Sequence, residues 1–214
     1  MQKIAAQFEN DTGHKLTIIS GATGKFYAQI KHGAPFDIFL SADDETPERL
    51  EKEGVAIAGS RFTYALGRLA LWSARPGLVD ERGNVLNKSD WQYLALANPK
   101  LAPYGAAATE TITTLGLTNL LQKKFVQAEN IAQAYQFVAT GNAALGFVAV
   151  SQIYENGQLK SGSAWVVPKN LYTPIRQDGV ILNSAKAKPA AAAFVHYLQT
   201  DKIKTLIKSH GYDI

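Results

Sequence analysis

Apolar positions along this chain alternate between helical and strand-like spacing, and the switches fall at glycine, proline and asparagine. Met1, Ile4, Ala5 and Phe8 share one helical face, with Gly13 as a suitable stop. Lys15–Ser20 (KLTIIS) predicts a β-branched strand. A helix is expected from about Thr23 to His32, closing on Gly33-Ala34-Pro35. Phe36–Leu40 (FDIFL) then has the length and composition of a strand covered on both faces. A further helix is expected from about Thr46 to Glu53, with Pro47 near its first turn and Gly54 as its stop.

The run Tyr64–Ser73 (YALGRLALWS) predicts one long strand, broken by Arg75-Pro76-Gly77, whose length suits a crossover between lobes. Tyr93–Ala97 predicts a short strand, followed by the loop Asn98–Gly105 and a helix of small residues. Helical patterns continue to Leu121 and again over Ile131–Val138, before Leu145–Val150 (LGFVAV) predicts another buried strand. Thr173–Leu182 is an extended segment suited to returning the chain to the first lobe. Two helices finish the sequence, the first presenting Phe194, Val195 and Leu198 and the second capped by Asp201.

Strands alternating with helices in this way imply an α/β architecture, in which ligand sites lie at the carboxyl ends of strands. Two glycine-bearing strand-to-helix junctions satisfy that condition, one at Gly21–Gly24 and one at Pro103-Tyr104-Gly105. They are well separated in sequence, which predicts that they belong to different lobes facing one cleft. At the first, Ser20 and Thr23 offer hydroxyls while the helix start offers unsatisfied N–H groups and a positive dipole end. That combination suits a small oxyanion held by neutral donors. At the second, Tyr104 stands where its hydroxyl can donate to an anion or its ring can pack as a lid.

Composition narrows the alternatives. With 46% hydrophobic and 19% charged residues the chain is an ordinary globular sequence, and disorder is not expected. Its 22 basic residues give a net charge of +4 but are scattered, so no nucleic-acid footprint is expected. No cysteine is present, which excludes disulfides, thiolate metal sites and a cysteine nucleophile. No apolar stretch approaches the ~18 residues needed to span a bilayer. No signal-peptide pattern precedes the amphipathic start, so the beginning reads as cut.

Other motifs resolve into ordinary roles. GATGK lacks P-loop spacing: the first glycine would fall at Ile19, and Phe26 occupies the magnesium-binding hydroxyl position. Ser41 and Asp43 have no histidine placed to complete a triad, and His14, His32, His196 and His210 read as exposed or capping groups. Asp43-Asp44-Glu45 reads as a solvated helix start rather than a cation site. Trp72, Trp91 and Trp165 read as packing residues.

Taken together, SGATGKFYAQI followed by GAPFDIFLSAD, then NPKLAPYGAAATE, ENIAQAYQFV, GNAALGFVA and the terminal HGYDI, resemble the periplasmic molybdate-binding proteins of ABC importers across nearly the whole chain. The resemblance implies a type II periplasmic-binding-protein fold, with two α/β lobes joined by two crossovers and the ligand in the cleft. Lobe I would comprise residues 1–65 and 176–214, and lobe II residues 66–175. It also implies binding of molybdate, and of tungstate, for delivery to a membrane permease. No enzymatic activity, cofactor, free metal cation or nucleic acid is implied, and the location is periplasmic. Carried over by position, the oxyanion contacts fall on Ala22, Thr23, Tyr104 and the backbone of Ile131, with Ser20 as a further candidate.

The chain departs from the family pattern in two places. Some relatives have a tyrosine where Ala149 stands, which leaves the phenolic donor to Tyr104. A first strand and a short hydroxyl- or amide-bearing loop, normally ahead of the first helix, are expected before Met1. Within the same fold, sulfate or phosphate is the alternative ligand. An enzyme that builds a covalent cofactor on cysteine is excluded by composition, and a regulatory sensor domain is a further alternative.

Overall fold

The computed structural model describes residues 1–88 and 90–214. Its elements run α1 (Gln2–Thr12), α2 (Thr23–Lys31), β1 (Ile38–Leu40), α3 (Glu45–Lys52), β2 (Phe62–Gly67) and β3 (Leu69–Ser73). They continue with β4 (Leu94–Ala97), α4 (Pro103–Thr114), α5 (Thr118–Leu121), β5 (Phe125–Ala128), α6 (Ile131–Ala139) and β6 (Leu145–Ala149). The last are α7 (Val150–Ile153), β7 (Tyr154–Glu155), β8 (Gln158–Leu159), β9 (Ser163–Val166), β10 (Ile175–Ile181), α8 (Pro189–Leu198) and α9 (Asp201–Ser209).

Two main sheets organise the chain. One is antiparallel, in the order β1-β10-β2, and the other is mixed, in the order β5-β4-β6-β3-β9. Strands β5, β4 and β6 run parallel, so their carboxyl ends emerge along one edge. The remaining pair, β7 and β8, is a small hairpin that the apolar pattern does not announce.

Side-chain alternation explains why both main sheets are layered with helices on either face. Along β3, Leu69 and Leu71 join a core with Ile112 of α4 and Phe147 of β6, whereas Ala70 and Trp72 face a second core with Ala134 and Val138 of α6. In the smaller sheet, Phe39 packs with Ile30 of α2 and Leu50 of α3, while Ile38 and Leu40 lie against the core shared by α1, α8 and α9. Phe8 of α1 and Phe194 of α8 meet edge to face there, with ring centroids 5.1 Å apart.

Three expectations from the sequence are corrected. Lys15–Ser20 is not a strand: among the described residues it joins no sheet, Ile19 is 58% exposed, and only Leu16 and Ile18 are partly covered. A β-branched run stays a strand only where neighbours take up its N–H and C=O groups, and here the Leu16 N–H donates instead to Glu9 Oε1 at 2.7 Å. Tyr64–Ser73 is not one strand but lies in two, β2 and β3, which pair in different sheets. The chain leaves the smaller sheet at Gly67 and enters the larger at Leu69; the intervening Arg68 carbonyl accepts from Val150 N–H at 2.9 Å. Strand β10 bonds to both β1 and β2, with a bulge at Gln177/Asp178. Asp201 does not cap α9 but occupies its first turn, after Thr200.

Candidate functional site

Three helix starts converge at the edge where the parallel strands end. Helix α4 follows β4 through the Asn98–Ala102 loop, α6 follows β5, and α7 follows β6. Gln152 ties two of these together: its Oε1 accepts from Ala149 N–H at 2.9 Å and its Nε2 donates to Ile131 O at 3.2 Å. Gly105 lets α4 sit directly on the end of β4, because any Cβ there would collide with the Ala97 carbonyl.

Helix α2 meets this edge with its first turn. The Gly24 N–H donates to Leu101 O at 3.0 Å, two residues before α4 begins. Lys25 pairs with Glu129 at 2.7 Å, beside the start of α6. The residues predicted for the site are therefore drawn toward one region: Ala22 and Thr23 at the start of α2, Tyr104 in the first turn of α4, and Ile131 opening α6. Ser20 is exposed and makes no part of the hydroxyl cluster around Thr23.

The local chemistry is that of neutral donors. Neither α2 nor α4 has a side-chain cap, since the cap residues are Ala22 and Ala102, whereas Asn130 Oδ1 caps α6 by accepting from Gln133 N–H at 3.0 Å. Thr23 is 7% exposed, with its hydroxyl 3.3 Å from that of Ser41. Ser41 is buried and sits on the carboxyl end of β1. Its hydroxyl also donates to Asp43 Oδ1 at 3.1 Å, and its carbonyl accepts from Tyr64 Oη at 2.8 Å. Asp43 in turn accepts from Thr46 N–H at the start of α3, so the acidic run is used in a helix turn. Among the described residues, no group of three or more His, Cys, Asp or Glu side chains is arranged to hold a metal ion.

Tyr104 is 4% exposed and accepts a hydrogen bond from Gln177 Nε2 at 3.0 Å. Burial, with the neighbouring phenols of Tyr212 and Tyr64, pushes the Tyr104 phenol well above its ordinary value, so it stays protonated and available as a donor. Ala149 is buried at the end of β6 and offers no hydroxyl.

Sequence reasoning considered Ser41 only as a nucleophile and missed it as a partner of Thr23. Gln177 carried no signal at all, because its contact with Tyr104 spans distant parts of the chain. Trp72, Trp91 and Trp165 are all buried, as packing residues should be. A groove of about 570 Å³, lined by Arg68, Val150, Lys208, Tyr212 and Asp213 among others, includes none of the predicted site residues.

Two helix-covered sheets linked through the β2–β3 passage and the β9–β10 passage, with helix starts meeting between them, define a protein of the type II periplasmic-binding-protein fold. The sequence profile of the bacterial extracellular solute-binding proteins matches residues 1–213, and the chain belongs to that family. It is 58% identical over 214 residues to the molybdate-binding protein ModA of Azotobacter vinelandii, covering 100% of this chain and 85% of the relative. It is 47% identical over 211 residues to the ModA of Rhodobacter capsulatus, covering 99% of this chain and 82% of the relative. The solved structure of an Azotobacter vinelandii periplasmic molybdate-binding protein superposes with a TM-score of 0.96 at 45% identity, covering 100% of this chain and 93% of that one.

Proposed function

We propose that this protein binds molybdate between its two lobes and delivers it to the membrane permease of an ABC importer, acting in the periplasm as a binding protein and not as an enzyme. Tungstate, of the same charge and shape, is the second ligand. The observation that carries this reading is the meeting of two helix starts without side-chain caps, α2 and α4, beside a buried threonine and a buried tyrosine. Lys25, two residues after Thr23, is already paired with Glu129. The molybdate-binding names of the high-identity relatives supply the anion that fits such a set of donors.

In this reading Ala22, Thr23, Tyr104 and Ile131 make the contacts, through backbone N–H groups and two hydroxyls, with Ser41 holding Thr23 in place. Ser20 remains a candidate only if its exposed hydroxyl turns inward on binding. The lobes comprise residues 1–65 with 176–214, and 66–175. A dianion leaving water must be compensated by many fixed donors, and donors without cations disfavour protonated anions that bring a proton of their own. Sulfate has the same charge and shape, so selection rests on cavity size.

Thermal unfolding with molybdate, tungstate, sulfate and phosphate tests the reading. A specific ligand at 100 times its dissociation constant stabilises by about 2.7 kcal/mol, so molybdate and tungstate should raise the midpoint and the smaller anions should not. Tyr104→Phe should weaken molybdate binding by about 1–2 kcal/mol in calorimetry. A shift with sulfate or phosphate alone would reassign the ligand, and unchanged affinity in Tyr104→Phe would remove Tyr104 from the site.

A further inference from the structure

The hydroxyl of Tyr104 is approached by two neighbouring strands of the three-stranded sheet. From β10 comes Gln177, 4% exposed, whose amide nitrogen donates to Tyr104 Oη at 3.0 Å. From the end of β2 comes Gly67, where a Cβ would press into Tyr104 Oη and lie 2.9 Å from Gln177 Nε2. The two residues lie near one another across the ladder, Gly67 opposite Ile175 and Gln177 opposite Ala65. The glycine therefore leaves the space in which the Tyr104–Gln177 bond forms.

A phenol oxygen that accepts from an amide N–H has its own proton left to donate elsewhere. Burial keeps that proton in place by pushing the phenol well above its ordinary value. We propose that Gln177 and Gly67 are positioning residues for Tyr104: the glutamine amide orders the hydroxyl so that its proton is presented to the oxyanion, and the glycine makes room for that pairing. Because Gln177 and Gly67 belong to the three-stranded sheet and Tyr104 to the core of the five-stranded one, a change in the angle between the lobes alters this hydrogen bond, and ligand contact is coupled to the hinge. The inference rests on the assignment of Tyr104 to the oxyanion site.

Calorimetric titration of the full chain with sodium molybdate tests it through a double-mutant cycle. Gln177→Glu keeps the side-chain shape but replaces the donor by an acceptor that takes the phenol proton for itself. It should weaken molybdate binding by about tenfold, the scale of one hydrogen bond to a charged ligand. The same substitution made on Tyr104→Phe should cost clearly less than in the native chain, because only repulsion between the new carboxylate and the anion remains, and the neutral Gln177→Leu made on Tyr104→Phe should change affinity by less than about twofold. Gly67→Ala should also weaken binding, with part of the loss recovered when Tyr104→Phe removes the oxygen it collides with. Should the buried glutamate prevent folding, Gln177→Leu supplies the cycle, with a smaller loss that again vanishes on Tyr104→Phe.

A weakened Tyr104→Phe combined with an unchanged Gln177→Glu would overturn the positioning role alone, since the amide carbonyl would then be the group facing the phenol. Fully additive losses would also overturn it, because they would mean that Gln177 does not act through the Tyr104 phenol. An unchanged Tyr104→Phe would overturn the site assignment and this inference together.

Discussion

Lys15–Ser20 and Leu94–Ala97 are both short runs of strand-forming or small apolar residues that lead into a helix start of the proposed site, yet only the second lies in a sheet. Leu94–Ala97 pairs in parallel with β5 on one side and β6 on the other, and all four residues are buried. Lys15–Ser20 has no ladder among the described residues, and its conformation depends on α1 and the bond from Leu16 to Glu9. The two halves of the proposed clamp therefore stand on different foundations. Tyr104 and Ile131 are fixed by a five-stranded sheet, whereas Thr23 is fixed by Ser41 and by the packing of α2 on α3.

The largest expected effect separates these foundations directly. Leu96→Ala, at a position 3% exposed, should destabilise the protein by about 2–5 kcal/mol in denaturant unfolding, through lost burial and the cavity left behind. Ile19→Ala, at a position 58% exposed, should stay within about 0.5 kcal/mol. Equal losses would mean that the first junction is packed as firmly as the second.

Next in size is Thr23→Val, which keeps the shape and removes the hydroxyl. Molybdate affinity should fall by about 1–2 kcal/mol, the range for a hydrogen bond to a charged group. Because Thr23 also meets Ser41 and the Ala42 N–H, the unliganded thermal midpoint should fall as well. A drop in midpoint with unchanged affinity would make Thr23 a support of α2 and not a ligand contact.

The smallest effect concerns how α2 is held on α3. Lys31 and Arg49, with the Tyr27 hydroxyl, hold the Glu53 carboxyl down to about 2 from an ordinary 4.5. A depressed carboxylate contributes stability above its unfolded value and loses it as pH falls through the folded one. The midpoint difference between the native chain and Glu53→Gln should be greatest at neutral pH and shrink as pH falls from about 4.5 toward about 2. Added salt should shrink it too, since the group is at the surface. A difference that is flat in pH would mean that Glu53 acts through packing.

Much of the fold was legible because local signals agree with tertiary demand. Strands within FDIFL and LGFVAV, over Ile38–Leu40 and Leu145–Ala149, and the helices from Thr23, Pro103, Ile131 and Pro189 appear where glycine, proline and apolar spacing place them. Lys15–Ser20 was misread because its β-branched composition says nothing about whether a neighbouring strand exists. The break at Arg68 was invisible because an apolar run looks the same within one sheet and between two. At the proposed site, Ala22, Thr23 and Tyr104 stand out through their junctions. Ser41 and Gln177 do not, since their roles are contacts between distant segments that no spacing rule encodes.

The central claim, that a tetrahedral oxyanion sits between the start of α2 and Tyr104, is tested most directly by anomalous diffraction from crystals grown with tungstate. The account predicts one strong tungsten peak with oxygens in hydrogen-bonding reach of Thr23 Oγ1 and Tyr104 Oη. A peak confined to the groove of Arg68 and Lys208, or none at all with tungstate in excess, would contradict it.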